Sequence, residues 1–216
     1  MCCCSMSSVS TKRPPAKRAY NSSRRAAQAA QTRADVLAAA IECFSESGWS
    51  GTTLNAVAER AGVAVETIYH GFGTKTRLLR EAMEVAVVGD AEPIPLADRP
   101  EWAEMQRGNR AERVAKGVAL NADIQERSAR VWNAILEAAR ADAEVAAFRD
   151  DGDANRAHDL QRGLELVLRK PVGGPVFDVL FVLFGPEAYL VLTERRGFTR
   201  AQYEAVLAET ALRLAG

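Results

Sequence analysis

The chain has 216 residues, of which 48% are hydrophobic and only 6% aromatic, and its 28 Lys/Arg balance 28 Asp/Glu. That length supports one or two domains with a sizeable core, and a composition led by Ala, Leu, Glu and Arg favours helix over strand. No run of about 18 apolar residues occurs; the nearest, VFDVLFVLFGPEAYLVL at 176–192, is interrupted by Asp178 and Glu187 and reads as a core helix. The zero net charge conceals a split. Residues 1–80 carry 11 Lys/Arg and 5 Asp/Glu, leaving 17 and 23 for the remainder. A basic N-terminal third suits a polyanion, and an acidic body stays clear of one.

The first residues lack the apolar stretch of a secretory signal, which predicts a cytoplasmic protein. Cys2, Cys3 and Cys4 are adjacent and lack the spacing of a zinc site; they read as a disordered or mis-started leader. Residues 1–23 are rich in Ser, Lys, Arg and Pro without hydrophobic period. They are expected to form a flexible basic arm able to reach phosphates, or simply a solubilising tail. A long helix follows, with Val36, Leu37, Ala40, Ile41 and Phe44 on one face and Gly48 at its end. Cys43 lies on its apolar side, where packing outweighs chemistry.

Thr52 or Thr53 can cap a second helix with Leu54, Val57, Ala58 and Ala61 inward, which Gly62 breaks. A short third helix, VAVETIYHGF, turns Val63, Ile68 and Phe72 inward and stops at Gly73. Thr74 can cap a fourth, carrying Leu78, Leu79 and Met83 to about residue 88. GDAEPIPLADRP at 89–100 is the best domain boundary. Beyond it, helices are expected at about 100–107, 110–126, 128–140, 143–169, 175–196 and 199–215, the fifth of these kinked at Pro186. No stretch alternates like a strand. The expected class is all-α, with nine or ten helices. Residues 24–88 form an N-terminal three-helix helix-turn-helix domain with its linking helix, and 89–216 a helical ligand-binding and dimerisation domain.

The stretch AGVAVETIYHGFGTKTRLL (61–79) invites three readings. A phosphate-binding loop would follow a buried strand and place its Lys directly after a Gly, whereas Thr74 separates Gly73 from Lys75 and the context is helical. A metal site lacks partners, because His70 and His158 are the only histidines. With two histidines and no nucleophile motif, an enzyme is not expected, nor is a cofactor. A helix-turn-helix fits: two short helices meet at Gly62, with the small Ala58 allowing close approach. The second helix would enter the major groove by its N-terminal part. Val65 could meet a thymine methyl and Glu66 a cytosine amino group. Thr67, Tyr69, His70 and Lys75 complete the DNA-facing set, chiefly for phosphates. Thr53 joins them through its hydroxyl and the helix amides.

Residues 33–80 resemble the DNA-binding domain of the TetR (tetracycline repressor-like) family. The resemblance rests on VLAAAIECFSESGWSGTTLNAVAERAGVAVETIYHGFGTKTRLL: F-x-x-x-G closing the first helix, T-x-x-x-x-A-x-x-A-G-V, and T-I-Y-x-x-F-x-x-K-x-x-L-L. Ala64 and Val65 stand where many members carry Ser and Lys. The family implies a homodimer on a double-stranded DNA operator. It also implies a C-terminal pocket for a small-molecule effector and, usually, repression relieved by that effector. The alternative is a helical ligand-binding or interaction protein whose helix-turn-helix does not read DNA.

VLFGPEAYLVLTERRGFTRAQYEAVLAETALRLA resembles the last two helices of one TetR subgroup, which pair between subunits as a four-helix bundle. Two stripes agree with that: Phe177, Leu180, Phe181 and Phe184, and then Tyr203, Val206, Leu207, Thr210, Ala211 and Leu214. Intramolecular core is the competing account. Candidate pocket residues are Trp102, Met105, Trp132, Phe148, His158 and Phe181, each of which could equally be plain core.

Overall fold

A computed structural model of the chain describes residues 17–90, 94 and 96–214. Among these there is no strand. Ten α-helices run in order: α1 (Lys17–Gly51), α2 (Leu54–Ala61), α3 (Val65–Phe72), α4 (Lys75–Val88), α5 (Pro100–Glu104), α6 (Arg110–Ala138), α7 (Ala143–Leu168), α8 (Gly174–Leu183), α9 (Pro186–Leu190) and α10 (Arg200–Leu214). A 3-10 turn lies at Leu96–Asp98 and a π-turn at Val191–Arg195. Cys2, Cys3, Cys4 and the start of the basic arm lie outside the described residues. Residues 17–23, expected in the arm, are helical as the first turns of α1.

Local signals terminate the N-terminal helices where the sequence places them. Thr53 and Thr74 each cap with the side-chain oxygen, accepting from Ala56 N–H and Arg77 N–H at 3.1 Å. Gly48 bends α1 rather than ending it, with φ 66° and ψ −168°. The bend is closed by Thr52, whose buried hydroxyl lies 2.9 Å from the Cys43 carbonyl and 2.8 Å from that of Gly48. Cys43 is buried, and its burial pushes the thiol pKa up.

The C-terminal pattern needs two corrections. The break expected near Ser128 does not occur: α6 runs unbroken for 29 residues. Ser128 donates its hydroxyl to the Ile124 carbonyl one turn back, at 2.7 Å, and so sits within the helix without interrupting it. The helix expected over 175–196 is two, bent by 48°. Pro186 opens α9 at a position where its missing N–H costs nothing, so it starts a helix instead of kinking one.

The core has two parts, and α6 belongs to both. Val36, Phe44, Val57, Ile68, Phe72 and Leu79 of the first four helices pack with Val131, Ile135 and Ala138 from the C-terminal half of α6. The N-terminal half of α6, through Val114, Val118 and Ala122, packs with α5, the end of α7, α8 and α10. A single long helix therefore packs both against the helix-turn-helix and against the rest of the molecule.

Candidate nucleic-acid interface and effector cavity

The turn between α2 and α3 is set by Gly62, which lies in the left-handed region at φ 67°, ψ 31°. Its N–H reaches the Glu59 carbonyl at 3.2 Å, while Val63 N–H reaches back to Ala58 at 3.0 Å. This pair of crossed bonds satisfies the last carbonyls of α2 and turns the chain sharply into α3. Ala64 caps α3 without a side-chain bond, and Thr67 N–H bonds the Ala64 carbonyl at 2.9 Å.

Ile68 and Phe72 anchor α3 in the core. The outward face carries Glu66, Thr67, Tyr69 and His70, all exposed, with Tyr69 at 56%. Thr53 is also exposed, at the N-terminus of α2. Two expected members of the set sit differently. Val65 is half-buried and packs on the N-terminal core. It shares a face with Ile68 and Phe72 by the spacing i, i+3, i+7, a signal present in the sequence. Lys75 is turned inward: its ammonium donates to the Trp49 carbonyl and lies 4.1 Å from the centre of the Trp49 ring. Burial there holds its pKa below the usual lysine value.

Four of the eleven basic residues of the first 80 are paired with carboxylates. Arg33 and Arg77 meet Glu81, Arg60 meets Glu46 at 2.7 Å, and Arg80 meets Glu144 at 3.1 Å. Arg24 and Arg25, on the first part of α1, are exposed.

A cavity of about 450 Å³ opens among α4, α5, α6 and α7. Four of the six expected pocket residues line it: Trp102, Met105, Trp132 and Phe148. The other two do not. His158 is exposed, because the cavity face of α7 is Gly152, Asn155, Arg156, Asp159 and Gly163, which leaves residue 158 out of phase. Phe181 lies outside the wall, its ring 3.7 Å under the Arg156 guanidinium. The polar residues of that α7 face were not anticipated; their recurrence at helical spacing with two glycines was the available signal. Gly152 is required there, since a Cβ would come within 2.9 Å of the Trp132 ring. Among the described residues no cluster of three His, Cys, Asp or Glu could hold a metal ion.

The expected dimer face separates into two groups. Phe184, Tyr203 and Leu207 are buried within the chain. Tyr203 is fully enclosed, accepting from Asn121 Nδ2 at 3.0 Å and meeting Tyr189 edge-on at 5.1 Å. Burial pushes its phenol pKa well above the usual tyrosine range. Phe177 and Thr210 are half-buried, the Thr210 hydroxyl donating to Val206 at 2.7 Å. Val206 and Leu214 are exposed, and Val179, Val182 and Val191 join them as apolar side chains left open on α8, the π-turn and α10.

Residues 36–82 match the family model of bacterial regulatory proteins, tetR family. No curated protein matches the chain in sequence. Its fold is similar to that of a transcriptional regulator from Rhodococcus sp. Rha1, with 17% identity, 84% of this chain and 95% of that one covered, and a TM-score of 0.59. A protein assigned to the TetR family of transcriptional regulators from Mesorhizobium loti MAFF303099 aligns at 17% identity over 86% of this chain and 96% of its own, with a TM-score of 0.62. A protein from Pseudomonas aeruginosa PAO1, likewise assigned as a transcriptional regulator, shares 18% identity over 86% and 90% of the two chains, also at 0.62.

Proposed function

We propose that this chain, whose residues 36–82 match the tetR-family model, is a homodimeric DNA-binding transcriptional repressor released from its operator by a small molecule. The observation that carries the reading is α3: Ile68 and Phe72 lock it onto the core while Glu66, Thr67, Tyr69 and His70 face outward. In a dimer, two such helices would enter successive major grooves roughly 34–36 Å apart. In that docking Glu66, on the first turn, would read base edges, while Thr67, Tyr69 and the amides at the N-termini of α2 and α4 would meet phosphates.

The wall of the cavity supports a route for release. Met83, Glu84, Val87 and Val88 of α4 line it, and α4 begins three residues after α3 ends. A ligand that fits one placement of α4 better than another shifts the population between DNA-competent and incompetent dimers. The exposed valines of α8 and α10 support the dimer. The reading is tested by gel shift of the purified full-length protein against fragments of its source genome. A specific fragment should be retained, with affinity that falls steeply as salt rises. Retention of no fragment above background would sink it.

A further inference from the structure

We infer that the cavity takes a neutral, largely apolar ligand bearing a hydrogen-bond-accepting oxygen, with Trp102 Nε1–H as its principal donor and Arg156 as a second. The role of that ligand as effector rests on the regulator reading above; the chemistry of the site does not. The inference comes from asking which buried polar groups in the wall lack a partner. Gln125 donates to the Phe184 carbonyl at 2.9 Å, Asn121 to the Tyr203 oxygen at 3.0 Å, and Trp132 to Glu187 at 3.3 Å. Ser128 is satisfied within α6. Among the described residues, the buried side-chain nitrogens and oxygens that have no partner are two: Trp102 Nε1 and Arg156 Nε. Both residues line this one cavity.

Both orphans are N–H donors, so the complement is an acceptor. Trp102 is 6% exposed, and a donor left unpaired at such a position loses its water without a replacement, which a ligand acceptor would supply. The rest of the wall, including Met105, Val114, Val118 and Leu164, is apolar and calls for a hydrocarbon or aromatic body. Charge argues against an anion. The Arg156 guanidinium is already paired with Asp153 at 3.0 Å and bonds the Phe181 carbonyl at 3.1 Å. Two acidic residues, Asp159 and Glu84, border the same space. Burial raises the pKa of Asp159, as expected of a wall that disfavours charge.

The test compares three probes built on one ring system in equilibrium dialysis with the full-length protein: acetylnaphthalene, ethylnaphthalene and naphthoate. They present a neutral acceptor, no acceptor and an anion. Acetylnaphthalene should bind roughly tenfold more tightly than ethylnaphthalene, and naphthoate more weakly than the ketone. Trp102→Phe keeps an aromatic side chain, though a smaller one, and removes the donor, so it should abolish most of the ketone's advantage over the hydrocarbon while helical circular dichroism stays unchanged. Equal binding of ketone and hydrocarbon, tightest binding of naphthoate, or no binding of any probe overturns the proposal; these comparisons use only the unmutated protein. An advantage that survives Trp102→Phe overturns it too. Gel shifts on the same preparation keep the two readings apart. The expected probe order without any DNA binding upholds the pocket chemistry and removes the regulator; DNA binding with the wrong order does the reverse.

Discussion

The carboxylate of Glu137, near the end of α6, accepts the backbone N–H of Trp49 at 2.8 Å from the bend that closes α1. Ser50 adds its own N–H at 3.1 Å and its hydroxyl. Lys75, at the start of α4, covers the other side of Trp49. One acidic side chain from the C-terminal region therefore holds the turn leading into the helix-turn-helix, and it does so with charge-assisted bonds.

That contact predicts a pH dependence. The Ser50 hydroxyl first, then the Trp49 and Ser50 amides and the Lys75 charge, hold the Glu137 carboxyl below its ordinary value of 4.5. A depressed folded-state pKa adds stability above the unfolded value, which is lost as pH falls through the folded one. Urea unfolding between about pH 5 and pH 3 should thus show the unmutated protein losing more stability than Glu137→Gln. Parallel curves for the two proteins would rule the linkage out.

Gly48 lies beneath the same carboxylate. Its φ of 66° with ψ of −168° belongs to a region essentially confined to glycine, and a Cβ would stand 2.8 Å from Glu137 Oε2. Gly48→Ala should cost about 1–3 kcal/mol in denaturant unfolding. A loss below a few tenths would mean that the bend relaxes freely.

Tyr69 and Lys75 should separate in DNA-binding experiments. Tyr69→Ala removes an exposed side chain, so stability should change by no more than about 0.5 kcal/mol. Its binding should weaken about equally across DNA sequences, as expected of a phosphate contact; a changed sequence preference would give Tyr69 a different role. Lys75 is engaged with Trp49, so Lys75→Met should leave the slope of log affinity against log salt unchanged. A slope shallower by about 0.9 would reveal a phosphate contact instead.

Val182 is 65% exposed on α8, one turn from the exposed Val179. Val182→Asp should convert a species of twice 23.4 kDa into one of 23.4 kDa by light scattering, without loss of helix. A dimer that persists would move the interface elsewhere.

The helix-turn-helix was legible because its instructions are local. Thr53, Gly62, Gly73 and Thr74 act within one turn of themselves, as caps and turns, and each does so in the folded chain. Ile68 and Phe72 follow from periodicity alone. The inward position of Val65 was readable from the same spacing, yet the expectation of a base contact at the helix start displaced it. Four pocket residues were found as large side chains in central helices, whereas the phase of α7 that excludes His158 depends on how that helix is rotated against α6.

The sequence by itself determined an all-helical chain, the turn at Gly62 and the outward face of α3, because caps, glycine and a 3.6-residue period act over a few neighbours. Tertiary structure alone decided which apolar stripes are covered. Tyr203 and Leu207 look the same in sequence as Val206 and Leu214, but α6 buries the first pair and leaves the second open. It also decided that Lys75 serves Trp49, that Glu137 grips a turn 87 residues away at Ser50, and that two residues with unpaired donors line one cavity. Contacts of that kind join residues far apart in the chain, and no local pattern encodes them.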